Sequence, residues 1–167
     1  MAKRSRRPAR RARVAGRPAA PVQPAETAVT GIRYIESSAL LAALLERDAA
    51  VLRALRAKGR QVTSALTLAE AARAIVRART SGRLAPAQER AAVRGLRVFA
   101  RRCFVVAVTD TVLARVGRPF PMEPIRTLDA VHLATAELLG EPPQLMTIVT
   151  RDDRVRDNAR ALGYAVE

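Results

Sequence analysis

Between residues 31 and 166, short apolar runs alternate with stretches whose apolar positions recur at helical spacing. GIRYIE (31–36) reads as a strand, followed by a helix over 38–46 and a second over 49–58. RQVTSAL places a second short strand at 61–65. TLAEAARAIVRARTSG then forms a helix that Ser81-Gly82 stops, and APAQERAAVRGLRVFARR forms another, with Pro86 in its first turn. CFVVAVT (103–109) is a continuous, largely β-branched run, the pattern of a strand covered on both faces. A short helix over 110–117 and a proline-rich connector, RPFPMEP, lead to a helix over 126–140 that ends in Gly140. LMTIVT (145–150) is a strand, 151–163 a helix and YAV (164–166) a last short strand. Strands alternating with helices predict a parallel α/β sandwich, and no internal repeat interrupts the pattern.

Composition changes this picture at the amino terminus. Residues 1–30 contain four prolines, eight of the 30 Lys and Arg residues, one acid and few large apolar side chains. Such a segment buries too little surface to offset its ordering entropy, so it reads as a disordered basic tail ahead of a folded domain at 31–167. It either holds phosphate backbones by charge alone or is an extension upstream of the true start.

The net charge of +15 invites a polyanionic partner, and the domain itself remains basic once the tail is set aside. Aromatics are only 3%, which argues against modules that read bases on aromatic platforms. A single cysteine, Cys103, excludes an intrachain disulfide and a CxxC zinc site, and within its apolar run it reads as a buried thiol in a reducing cytoplasm. No apolar stretch has the length of a membrane span, and no apolar segment follows the basic start as a secretory signal requires.

The candidate chemistry lies in four acids near strand ends: Glu36 after the first strand, Glu70 after the second, Asp129 early in a late helix, and Asp152 after TIVT. In an open parallel sheet, ligands bind beyond the carboxyl ends of the strands. Each acid also has a plain structural explanation. Glu36 could share a turn in which Ser37 or Ser38 caps the helix, and Glu70 completes a Thr67-x-x-Glu70 capping box. Asp129, Asp152 and Asp153 suit the first turns of helices. As a set they point further. Carboxylates held together repel unless a cation or proton intervenes, and oxygen donors suit Mg2+ or Mn2+. Such an ion activates water for phosphoryl displacement, the chemistry of a metal-dependent nuclease.

The motifs around these acids resemble those of the PIN-domain nucleases. YIESSALLAALL is similar to that family's first motif, in which an Asp usually stands in the place of Glu36. VTSALTLAEAARAI resembles the second, with Glu70; RTLDAVHLATA the third, with Asp129; and IVTRDDRVRDNARALGY the fourth, with Asp152. The four occur in family order from about Gly31 to Val166, and they look most like the VapC-type toxins of toxin–antitoxin pairs.

The resemblance implies a three-layer α/β/α sandwich around a parallel, Rossmann-like sheet of about five short strands. It also implies Mg2+- or Mn2+-dependent endoribonuclease activity, homodimerisation, and a small cognate antitoxin. Glu36, Glu70, Asp129 and Asp152 carry over as metal ligands, Ser38 and Thr150 as hydroxyls supporting them, and Asp153 as a fifth, supporting acid, although its place in the helix should point it elsewhere. Arg73, Arg77 and Arg126 are candidate phosphate contacts. His132 shares a helix face with Asp129, either as an RNA or proton-transfer group or, the preferred reading, as a packed histidine with satisfied hydrogen bonds. Glu36 in place of Asp carries its carboxylate about 1.5 Å further out. This leaves an alternative, a PIN-like module that binds RNA or a protein without cutting. A dehalogenase-type phosphatase is disfavoured, because no DxD follows the first strand.

Overall fold

A computed structural model describes residues 31–167; the tail expected at 1–30 lies outside the described residues. Five strands, β1 (Ile32–Ile35), β2 (Arg60–Ser64), β3 (Phe104–Val106), β4 (Met146–Val149) and β5 (Ala165–Val166), form one sheet in the order β3-β2-β1-β4-β5. Every pairing is parallel. The helices are α1 (Ser37–Leu41), which runs into a π-helical turn over Ala42–Glu46, α2 (Ala49–Ala54), α3 (Ala65–Thr80), α4 (Pro86–Arg102), α5 (Asp110–Val116), α6 (Thr127–Glu137) and α7 (Asp153–Ala161).

Strand alternation builds the two sides of the core. Ile32 and Tyr34 of β1 and Met146 and Ile148 of β4 pack with Val112, Ala130, Leu133, Ala134, Val155 and Ala159, from α5, α6 and α7. Ile35 and Val149 face the other way, onto Ala39, Leu40, Val51, Ala71 and Phe99 from α1 to α4. The result is the three-layer α/β/α sandwich. Cys103 is a free, buried thiol, and burial pushes its pKa up to about 12. Before β2 the chain turns at Gly59, with φ +134, where a Cβ would stand 2.5 Å from the Gly31 carbonyl oxygen.

The element boundaries depart from the sequence reading in three informative places. The strand expected over 103–109 extends only over Phe104–Val106 and is not covered on both faces, because it pairs with β2 alone at the sheet edge, leaving Phe104 50% exposed. The helix expected from Thr67 begins at Ala65, with Ser64 as its cap accepting from the Leu66 amide, so Thr67 and Glu70 do not form a capping box. The last long helix begins at Asp153, which makes Asp152 its cap and not a first-turn acid. Among the described residues, no helix is long and apolar enough to cross a membrane.

Candidate active site

The chain leaves β1 for β2 and β3 on one side and returns to place β4 and β5 on the other, so the order reverses at the β1–β4 seam. Parallel strands open a crevice at their carboxyl ends at such a point. Glu36 follows β1 there. It is the N-cap of α1 itself, a role open to Ser37 or Ser38 on the sequence, and it is only 3% exposed. Its Oε2 accepts from the Ser38 amide at 2.9 Å, from Thr150 Oγ1 at 2.9 Å and from the Ser38 hydroxyl. Its Oε1 accepts from the Ser37 hydroxyl.

The same hydroxyls reach across to the segment after β4. Thr150 Oγ1 accepts from the Asp152 amide at 3.0 Å, and Ser38 Oγ accepts from the Arg151 amide at 2.7 Å. Asp152 caps α7 with Oδ1, which accepts from the amides of Arg154 and Val155. Arg151 is anchored by Nε to Asp48 Oδ2 at 2.9 Å, and that hydrogen bond, helped by the amides of Val51 and Ala50, holds the Asp48 carboxyl down at about 2.

Glu70 enters from α3 and Asp129 from the first turn of α6. His132, one turn beyond Asp129 and 1% exposed, lies between Glu70 and the first acid. Its Nε2 lies 2.8 Å from Glu70 Oε2 and 3.7 Å from Glu36 Oε1, and its Nδ1 lies 3.2 Å from the Tyr34 hydroxyl. Burial opposes the charge on Glu70, but His132, the Ser37 hydroxyl and Arg77 together hold its pKa below the usual range. Asp129 moves the other way. Burial raises it first, then the carboxylates of Asp152 and Glu36, against partial relief from Arg126 and His132.

The structure therefore brings Glu36, Glu70, Asp129 and Asp152 to one end of one sheet. Asp153 is apart from them, 83% exposed at its side chain and paired with Arg156 on its own helix. Arg73 and Arg77 line a hollow of about 360 Å3 beside Glu70, with Ser37, Leu41, Leu66 and Leu128. Arg126 is exposed at the start of α6. His132 is packed and hydrogen-bonded, as preferred from the sequence, but one of its two partners is an acid of the site, Glu70, the other being Tyr34. The sequence reading missed Tyr34 and gave Ser37 only a capping role. The one available signal for Tyr34 was its alternation onto the α6 side of β1, two residues before Glu36.

The donor set fits a cation. Glu36, Glu70 and His132 offer ligand atoms all within 4.8 Å of one another. Asp129 Oδ2 is buried and has no hydrogen-bond partner, the condition of an acceptor shaped for a ligand outside the chain.

A parallel α/β/α sandwich with acids gathered at its switch point defines the chain as an open-sheet α/β protein with a carboxylate-lined crevice. The comparisons narrow the class. The profile of the PIN domain matches residues 33–161. The chain is 41% identical to Ribonuclease VapC46 of Mycobacterium tuberculosis over 135 residues, covering 80% of this chain and 94% of the relative. The chain belongs to the PIN-domain family and is of the VapC type. Its fold is that of solved VapBC structures. VapBC2 from Rickettsia felis, bound to a DNA fragment from their promoter, superposes with a TM-score of 0.58 at 13% identity, over 81% of this chain and 97% of that one. VapBC-1 from nontypeable Haemophilus influenzae gives 0.53 at 15% identity, over 81% and 96%.

Proposed function

We propose that this chain is a metal-dependent endoribonuclease and the toxin of a toxin–antitoxin pair, with residues 31–167 as the nuclease unit and 1–30 as a basic tail. The observation that carries the reading is the convergence of Glu36, Glu70, Asp129 and Asp152 at the carboxyl end of a parallel sheet in a PIN-domain chain. The ribonuclease name of the Mycobacterium tuberculosis relative supports the reaction class. The VapBC complexes among similar structures support a small antitoxin as partner. Homodimerisation and a cytoplasmic setting follow from the same family reading.

In this mechanism the four acids hold Mg2+ or Mn2+. The ion, when bound, polarises the attacking water and offsets charge on the phosphodiester. The residues of the chain do the rest. Ser38 and Thr150 fix the Glu36 carboxylate and link it to the backbone that carries Asp152. Arg73, Arg77 and Arg126 bind RNA phosphates around the opening. Asp153, exposed and paired, takes no part.

The test is cleavage of labelled RNA by the purified protein. Activity in Mg2+ or Mn2+ should stop with EDTA and with Asp129→Asn. Cleavage that survives both overturns the carboxylate mechanism. Tight RNA binding without cleavage in either ion overturns the enzyme and supports the non-cutting module.

A further inference from the structure

We propose that His132 is itself a metal ligand, through Nε2, and that with Glu36 and Glu70 it makes a mixed nitrogen–oxygen site for a borderline first-row transition ion of the Mn2+ or Co2+ kind, in preference to Mg2+. The inference rests on the metal-dependent reading above and departs from its oxygen-only ligand set.

Three observations lead there. The first is distance. Metal–donor bonds of about 2.1 Å place neighbouring ligands about 3 Å apart in an octahedral site and slightly further apart in a tetrahedral one. From His132 Nε2, the carboxylate oxygens of Glu70 and Glu36 stand at 2.8 and 3.7 Å, which brackets that range. The second is direction. The imidazole is 1% exposed, so its edge faces the two acids and not solvent.

The third is the hydrogen bond behind the ring. The Tyr34 hydroxyl is buried and stands 3.2 Å from Nδ1, the ring nitrogen that does not face the acids. In the tautomer with its proton on Nδ1, the phenol oxygen accepts that proton. A ligating histidine needs such a partner, because fixing the proton on one ring nitrogen leaves the lone pair of the other for the ion. In that tautomer the Nε2 lone pair between the two carboxylates is the one an ion takes up, in place of the proton that Nε2 otherwise shares with Glu70. Mg2+ demands oxygen donors, whereas imidazole suits the transition ions, so replacing one oxygen by nitrogen shifts the preference.

The experiment uses the untagged full-length protein with Mn2+ as probe and pulsed electron paramagnetic resonance as readout. The chain contains one histidine, so a directly coordinated 14N signal belongs to His132 alone. The expected result is 14N modulation from bound Mn2+. It should be lost in His132→Gln, with Mn2+ affinity falling about tenfold or more and Mg2+ affinity, measured by competition, falling less. Circular dichroism checks the fold of the variant; if it does not fold, the wild-type spectrum decides alone. Mn2+ bound with oxygen coupling only overturns the histidine ligand and leaves the carboxylate mechanism standing, with His132 merely hydrogen-bonded to Glu70. Failure to bind Mn2+ at all overturns the histidine ligand, and failure to bind Mg2+ as well overturns the carboxylate mechanism with it.

Discussion

Thr150 donates its hydroxyl to Glu36 at 2.9 Å across the β1–β4 seam and accepts the Asp152 amide with the same oxygen. One side chain thus sets the spacing between the acid that ends β1 and the acid that caps α7. Thr150→Val keeps the shape and removes both bonds. A hydrogen bond to a buried carboxylate contributes about 1.5–3 kcal/mol, and the variant should lose stability on that scale in urea unfolding. RNA cleavage should fall roughly 10–100-fold, as is typical when a support behind a metal ligand is removed. An unchanged rate would mean that Glu36 is held without Thr150.

Asp129 is the acid that pays most for the clustering, since burial and the charges of Asp152 and Glu36 all raise its pKa. The folded protein therefore holds this proton more tightly than the unfolded chain. The stability this contributes is fully present below the ordinary value near 3.8 and is lost as pH rises through the raised native value. Asp129→Asn removes the repulsion. In EDTA at neutral pH it should melt a few degrees above the wild type, with a flatter Tm-against-pH curve over that window, while RNA cleavage is abolished. A variant that melts lower would show that Asp129 contributes a structural contact outweighing the repulsion.

Asp48 has the opposite sign. Its hydrogen bond to Arg151 comes first, then the α2 amides, and together they lower it to about 2. Its contribution is present above the ordinary value near 3.8 and disappears as pH falls toward 2. The carboxyl 13C resonance of Asp48 should titrate near pH 2, and Asp48→Asn should flatten the acid limb of the melting curve below pH 4. The same variant releases Arg151, whose amide holds Ser38, so a modest fall in cleavage is expected alongside. A titration midpoint near 4 would show that the Arg151 pair does not persist in solution.

Glu36 and Asp152 were legible because each closely follows a strand, and in a parallel sheet the carboxyl ends of the strands share one edge, whereas Glu70 and Asp129, inside α3 and α6, came from the motif resemblance. What each acid does locally was less legible. Thr67-x-x-Glu70 has the letters of a capping box, but tertiary packing carried the helix start back to Ser64 and left Glu70 free on the helix face. The run over 103–109 reads as fully covered because a hydrophobic run does not encode strand order, and only the order β3-β2-β1-β4-β5 puts it at the edge. The meeting of Tyr34 and His132, 98 residues apart, depends on the packing of α6 on β1, and no local spacing announces it.

Glu36 stands where the motif that YIESSALLAALL resembles usually has Asp. In this chain the longer side chain reaches the hydroxyls of Ser38 and Thr150 with one oxygen and extends the other toward His132. Glu36→Asp draws the carboxylate back by about 1.5 Å, beyond hydrogen-bond reach of Thr150. An aspartate would still cap α1 through the Ser38 amide, so the fold should persist, with a loss of about 1–2 kcal/mol for the bonds it gives up. Mn2+ affinity and RNA cleavage should both fall, about tenfold, if the surrounding residues are fitted to glutamate. Binding calorimetry and single-turnover cleavage separate the two effects. Tighter Mn2+ binding and faster cutting in the aspartate variant would instead mean that the longer side chain weakens the site, and that the hydroxyls of Ser38 and Thr150 restrain Glu36 at the expense of the reaction.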